Sequence, residues 1–583
     1  MPSIQLKPFG KYLLTIAHAP VKKLSFLCFG MCISLSASAE DATWDLILSG
    51  GTVYDGSGGP PRQLDIGISG DRINALGRLP KAQARQVVDV SGLAVAPGFI
   101  NVLSWATISL IHDGASQSNI RQGVTLEIFG EGTSMGPINT AMRQRLIDRQ
   151  GELPFDIPWT TLDEYLEHLT QRGVAPNVAS FVGASTVRQH VIGLDQRAPT
   201  AAELKRMQAL VANAMEDGAL GVGSALIYTP GSYASTEELI ALASTSAKFG
   251  GAYISHLRSE GDRLLEAIDE LIEITRVSQG HGEIYHLKVS GQRNWHKFED
   301  AVARIEAARE RGLSVAANMY TYTAGSTGFD AGMPTWIQAG GIDRWIERLQ
   351  DPALRAKAVA EMRSSDTDWE NLLGQAGADG TLLVGFKNPD LRHYIGQTLA
   401  DVAKTRGTSP EETAMDLVVE DGSRVQVVYF LMNEDNVRAK IRLPWMSFGS
   451  DAASLAAELP FTRQGTHPRA YGNFARVLGR YTRDEGLLTL ESAIHKLTQL
   501  NAEKFKLRYR GLLTPGYYAD VVVFDPAKIT DHATYANPHV YAEGVAHVLV
   551  NGEWVLYDGE ITSNRPGRVV RGPGWRGWKT ENR

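Results

Sequence analysis

Eight short apolar stretches, each followed by a longer helical pattern, constrain this chain more than any other feature of its sequence. They lie at 94–100, 124–129, 178–182, 220–222, 252–254, 284–287, 315–319 and 446–448. Such alternation predicts parallel strands joined by helical crossovers, and eight is the number that closes a barrel. The fold class expected is therefore α/β, a (β/α)8 TIM-like barrel. The segment 236–249 shows the helical signal clearly: Ser235 stands as N-cap, Glu238 as its capping-box partner, and Gly250-Gly251 as the stop. The stretch 330–440 is too long for one crossover and reads as an inserted helical lid plus an additional strand over 425–431.

Both ends of the chain are β-rich. A β run over 45–54, broken by Gly50-Gly51, is followed by strand-like 65–68 and 72–73. At the far end, 519–524 and 545–550 precede an Asn551-Gly552 hairpin turn and a last run over 554–556. The two ends are expected to meet in one small β-sandwich domain, 40–98 plus 506–583, with the barrel over 99–505. No Pro-rich linker divides the 583 residues further.

Residues 1–39 read as a signal peptide. Lys22 and Lys23 precede an apolar run over 24–35, and Ala37-Ser38-Ala39 supplies small residues for cleavage after Ala39. The run is too short to span a bilayer, and no later segment approaches the roughly 18–20 apolar residues a spanning helix needs. The expectation is an exported protein, periplasmic or secreted, with no transmembrane segment in its mature form. Cys28 and Cys32 both lie in this leader, so the mature chain has no thiol for disulfides, nucleophilic catalysis or metal binding. Phe29-Gly30-Met31 before Cys32 matches a lipoprotein signal poorly. The formal charge of -7, with no basic stripe, argues against nucleic acid as a partner.

In a parallel barrel the active site lies at the C-terminal ends of the strands. That rule selects His256 and His286, ending the fifth and sixth stretches, and Asp451, just after the eighth. A lone strand-end histidine is more often structural. Two imidazoles on adjacent strands with a carboxylate nearby form a divalent-metal site, and zinc suits such ligands.

The sequence resembles the D-aminoacylase (N-acyl-D-amino-acid deacylase) branch of the amidohydrolase superfamily across almost the whole mature chain. The resemblance rests on Gly123-Val124-Thr125, Gly218-Ala219-Leu220-Gly221-Val222, Ser255-His256-Leu257-Arg258, His286-Leu287-Lys288-Val289-Ser290-Gly291, Tyr320-Thr321-Tyr322, Gly449-Ser450-Asp451 and His467-Pro468-Arg469. It implies a barrel flanked by a small β-sandwich, His256 and His286 as metal ligands, and Asp451 as the acid/base that activates the attacking water. It also implies hydrolysis of the amide of N-acyl amino acids or dipeptide-like substrates.

Three departures narrow this reading. Where the family has Pro-Gly-Phe-Ile-Asp-x-His-x-His, this chain has Asn101-Val102-Leu103-Ser104-Trp105 after Pro97-Gly98-Phe99-Ile100, with neither histidine. The family's cysteine after the second strand is absent too. An ungapped register puts Gly132 there, and the adjacent Glu131 is the substitute anionic ligand. A histidine often found after the third strand is replaced in Val182-Gly183-Ala184-Ser185. The set that results is one metal, zinc or another divalent ion, held by Glu131, His256 and His286, with Asp451 beside it.

For the substrate, Arg469 is the candidate to grip a carboxylate bidentately, with Lys288, Arg258, Tyr320 and Tyr322 as helpers. The stretch from Leu103 to Ala106 is read either as the wall of an acyl or aryl pocket or as ordinary barrel packing. Two alternatives stay open: a hydrolase of another amide or lactone, such as an aryl-amide toxin or cyclic imide, and a catalytically degenerate acyl-amino-acid binding protein. A homo-oligomer is left open as well.

Overall fold

The structure, a computed structural model, describes residues 43–578. The leader read over 1–39 lies outside the described residues. Among those described, no helix is long and apolar enough to cross a membrane.

The eight barrel strands are β1 (Phe99–Asn101), β2 (Val124–Phe129), β3 (Asn177–Ser180, resumed at Val182–Gly183), β4 (Gly221–Ala225), β5 (Ala252–His256), β6 (Gly282–Ile284), β7 (Val315–Met319) and β8 (Met446–Phe448). All neighbouring pairs are parallel: β1 to β3 form one ladder, and the resumed part of β3 continues it through β4 to β8. A parallel bridge between Ser104 and Ala452, just past β1 and β8, closes the ring. Strands covered on both faces read as apolar runs because neither face meets water. Inside the ring Ile100, Leu126, Ile128, Phe181 and Ile254 pack into one cluster. Outside it the crossover helices turn an apolar stripe inward; in Leu264–Ser278, residues Leu264, Ala267, Ile268, Leu271 and Ile272 are buried at helical spacing.

The apolar stretch 94–100 is not one strand. It divides at Gly98, leaving Ala94–Pro97 in the sheet of the chain ends and Phe99–Asn101 in the barrel. A Cβ on Gly98 would stand 2.1 Å from Thr125 Oγ1, so only glycine lets the chain cross there. The sheet of the ends has nine strands, and Val521–Phe524 pairs antiparallel with Ala94–Pro97 to join the two termini. The hairpin turn falls on Asn551 and Gly552, both at positive φ (48° and 81°) as a tight two-residue turn demands.

Two local expectations are corrected. The helix Thr236–Ala247 is capped by Ser235, which accepts from the Glu238 backbone N–H, but the Glu238 side chain closes no capping box. It pairs instead with Arg188 at 2.5 Å, both side chains buried, because a buried guanidinium needs an anion more than a helix end needs a second cap. The insertion also holds more than one added strand. Ala324–Gly328, Thr381–Gly385 and Gln426–Phe430 form a three-stranded antiparallel sheet that begins only five residues past β7.

Candidate metal centre

Glu131, His256 and His286 each offer a ligand atom within 4.8 Å of the other two, and all three are buried. Strand geometry brings them there. Glu131 sits two residues past β2, His256 ends β5, and His286 lies two residues past β6, so all three project from the C-terminal rim. β6 stops at Ile284, and His286 takes a left-handed backbone (φ 35°) that turns its ring toward Glu131. Non-glycine residues seldom adopt this conformation, and such strain concentrates at functional sites.

The imidazole nitrogens not aimed into the cluster are already engaged. His256 Nδ1 lies 3.0 Å from the Leu257 carbonyl, which frees Nε2 for the cluster. His286 Nδ1 lies 3.1 Å from Glu260 Oε1 and 2.7 Å from Lys288 Nζ, and Lys288 itself pairs with Glu260 at 2.7 Å. A carboxylate behind a histidine is the usual means of fixing a ligand ring. His286 Nε2 meets Glu131 Oε1 at 2.6 Å. Burial and Lys288 oppose charge on His286, but Glu131, Glu260 and Asp451 together raise it to about 9. Burial holds the neighbouring His256 down at about 4. The surrounding carboxylates thus call for positive charge between Glu131 and His286, and the two-nitrogen, one-oxygen donor set fits a divalent cation.

Asp451 lies three residues past β8, also in a left-handed conformation (φ 49°). Its backbone is pinned by a hydrogen bond from its N–H to the Leu103 carbonyl at 2.9 Å. Next to it the Ser450 N–H donates to Asn101 Oδ1, and Asn101 in turn donates to the buried Glu127. Burial pushes the Asp451 carboxyl above the ordinary range, and Glu131 adds to this against the pull of Arg469. Arg469 Nη1 stands 2.8 Å from Asp451 Oδ2, and its guanidinium lies over the Tyr320 ring at 4.4 Å. Among the described residues neither Arg469 Nε nor the Tyr320 hydroxyl finds a hydrogen-bond partner, although both are buried.

A cavity of ≈ 450 Å³ opens over this group, and Lys288, Tyr320, Asp451 and Arg469 line it with the three clustered residues. Two expected helpers are elsewhere. Arg258 is committed to Glu270 at 2.9 Å and to the Ser232 and Ala234 carbonyls, so it braces a neighbouring helix. Tyr322 packs on His467 and directs its hydroxyl to Asp531, behind the cavity wall. Both corrections have one cause: a side chain just past a strand end, two residues past β5 for Arg258 and three past β7 for Tyr322, can turn either way. Sequence reasoning missed Glu260, although it stands four residues past His256. It also missed the insertion's share of the wall. There Tyr228 donates to Thr327 at 2.9 Å, and Arg424 pairs with Asp330 at 3.1 Å. Trp105 and Thr133 line both this cavity and a second of ≈ 220 Å³, whose wall combines Met135, Ile138, Met142 and Leu146 with Arg145 and Arg149.

The chain matches the amidohydrolase family over residues 86–556. It is 35% identical over 538 residues to the D-aminoacylase of Alcaligenes xylosoxydans xylosoxydans, covering 92% of this chain and 99% of that one. To the N-acyl-D-glutamate deacylase of the same organism it is 33% identical over 532 residues, covering 90% and 96%. Among solved structures, a D-aminoacylase superposes with a TM-score of 0.74 at 35% identity, covering 91% of this chain and all (100%) of that one. The N-acyl-D-glutamate deacylase of Bordetella bronchiseptica, complexed with zinc and a phosphonate mimic of the tetrahedral intermediate, superposes with a TM-score of 0.74 at 31% identity, covering 91% and 99%. Another D-aminoacylase structure concerns a binuclear metal centre with one-metal activation and second-metal attenuation. The likeness to a dihydropyrimidinase of Brevibacillus agri, at 15% identity and a TM-score of 0.52, shows the fold alone. From the strand-end cluster, the barrel that presents it and these matches along nearly the whole sequence, the chain belongs to the amidohydrolase family, in the branch of the N-acyl-D-amino-acid deacylases.

Proposed function

We propose that this protein hydrolyses the amide bond of N-acyl amino acids, of the D series as the names of its relatives suggest, using one zinc ion per chain held by Glu131, His256 and His286. The observation that carries the reading is the buried ligand cluster with Asp451 and an incompletely bonded Arg469 on the same cavity wall. When bound, a divalent ion supplies Lewis-acid polarisation of the scissile carbonyl and lowers the pKa of water. Asp451 takes the proton of the attacking water and returns it to the departing amine nitrogen, a task suited to a carboxyl held above its ordinary range. Arg469 and the Tyr320 hydroxyl receive the substrate carboxylate, which supplies the partners their buried donors lack. Glu260 keeps the His286 ring fixed through Nδ1 and is itself held by Lys288. The cavity beyond Trp105, apolar on the side of Met135, Ile138, Met142 and Leu146, suits an acyl chain.

Chelation tests this reading. Protein stripped of metal and dialysed is expected to lose hydrolysis of N-acetyl-D-amino acids and to regain it with one equivalent of Zn2+, followed by amine release. Undiminished activity in protein shown by elemental analysis to be free of metal would sink the proposal.

The leader read over 1–39 supports a further proposal, export from the cytoplasm with cleavage after Ala39. N-terminal sequencing of protein recovered from a periplasmic fraction is expected to begin at Glu40; an intact leader on protein confined to the cytosol would refute it.

A further inference from the structure

Trp105 stands where the family's second first-strand histidine would be, yet its side chain is not a passive wall. The indole N–H donates to Glu131 Oε2 at 2.9 Å and to Asp451 Oδ1 at 3.2 Å. One of these carboxylates belongs to the ligand cluster and the other stands beside it. Two carboxylates facing each other repel, and a proton, a cation or a donor between them relieves the repulsion. The indole nitrogen is a donor only and has no lone pair for a metal. It therefore adds a hydrogen bond to each carboxylate, beside the Arg469 that pairs with Asp451 and the His286 that meets Glu131, and it stands between them without offering a ligand atom.

The surrounding backbone holds this arrangement in place. The Trp105 N–H donates to the Ala452 carbonyl at 3.0 Å, and the Asp451 N–H donates to the Leu103 carbonyl at 2.9 Å. Trp105 and Asp451 thus hang from the same closure of the barrel, on either side of the Ser104–Ala452 bridge. Position 103 offers no ligand. Leu103 is 1% exposed, and a Cβ on Gly449 would come within 2.8 Å of the Leu103 Cβ.

We propose that Trp105 is a positioning residue that takes the place of a second metal ion: its indole N–H ties Asp451 to Glu131 and closes the centre to any cation beyond the first. The proposal rests on the metal centre argued above and adds how this chain limits itself to one ion. It also gives the chain a behaviour different from a binuclear D-aminoacylase subject to second-metal attenuation: excess zinc has no second position between these carboxylates.

The test is a Zn2+ and Co2+ titration of the full, folded protein, followed by calorimetry, elemental analysis and the visible absorption of bound cobalt. Wild type is expected to bind one equivalent, with activity unchanged in an excess of zinc. Trp105→Phe keeps a ring but loses the N–H. It is expected to take up a second equivalent, with kcat reduced about 10- to 100-fold, as when a supporting hydrogen bond to a metal site is lost. The acidic limb of its pH profile is expected to move while KM stays near wild type. Leu103→His combined with Trp105→His is expected to bind the second ion more tightly still. Two equivalents in wild type would overturn the proposal without any variant having to fold. So would a Trp105→Phe protein matching wild type in metal count and pH profile. No metal in wild type would instead overturn the metal centre itself, and the inference with it.

Discussion

Asp451→Asn is expected to lower kcat by about 10²- to 10⁴-fold, the range for removing a general acid/base, while one equivalent of metal stays bound. The separation follows from the geometry. Asp451 stands outside the set Glu131, His256 and His286, and its carboxylate contacts are Trp105 and Arg469. Asparagine keeps an oxygen for Arg469 but cannot carry a proton between water and amine. A pH profile supplies the second reading. The Asp451 carboxyl is held above its ordinary range, chiefly by burial, so its basic form is lost as pH falls through that raised value. Wild type should therefore show an acidic limb in kcat/KM as that carboxylate is protonated, and the variant should lack it. If metal content fell together with activity, Asp451 would be a ligand and the division of roles proposed above would be wrong.

His286→Ala is expected to abolish both metal binding and activity. The ring supplies the nitrogen that meets Glu131 at 2.6 Å and the nitrogen held by Glu260, so no other group can take its place. Removing it also leaves Glu131 and Glu260 buried beside a vanished partner, a change that typically costs about 3–5 kcal/mol of stability. The chelated wild type offers a control. His286 is raised to about 9 in the folded protein against an unperturbed value near ~6.5. Its stabilisation is fully present below pH ~6.5 and is lost as pH rises through 9, roughly 3 kcal/mol in all. Urea unfolding of chelated wild type should become easier across that window, and the alanine variant should show no such slope. A variant that still bound one tight equivalent of zinc would remove His286 from the ligand set.

The barrel was legible because its strands are covered on both faces and therefore appear as uninterrupted apolar runs at regular spacing. His256, His286 and Asp451 were legible because parallel strands put their C-terminal ends at one rim, so position along the chain translates into position in space. Direction did not translate. Arg258 and Lys288 each stand two residues after a histidine of the cluster, yet Glu270 on the following helix draws Arg258 away, whereas Glu260 keeps Lys288 at the site. The strand Ala324–Gly328, of sequence Ala-Gly-Ser-Thr-Gly, had no pattern to read. It is partly exposed on its middle residues and is held by antiparallel pairing to Gln426–Phe430, a partner about a hundred residues away in sequence. The sequence presents Trp105 as pocket wall or barrel packing, whereas it is one N–H on its edge that matters; composition cannot report which atom of an amphipathic ring faces a carboxylate.

The insertion's three-stranded sheet has a consequence for descent. It has an apolar core around Phe329, Ile337, Leu349, Leu383 and Val427, it joins the barrel between β7 and β8, and it holds none of the three clustered residues. Mutations there alter the cavity's far wall through Thr327, Asp330 and Arg424, while Glu131, His256 and His286 stay on the barrel rim, which the insertion does not supply. Sister copies of this chain, once separated, would part company over which molecules they accept long before they differed in the reaction they perform.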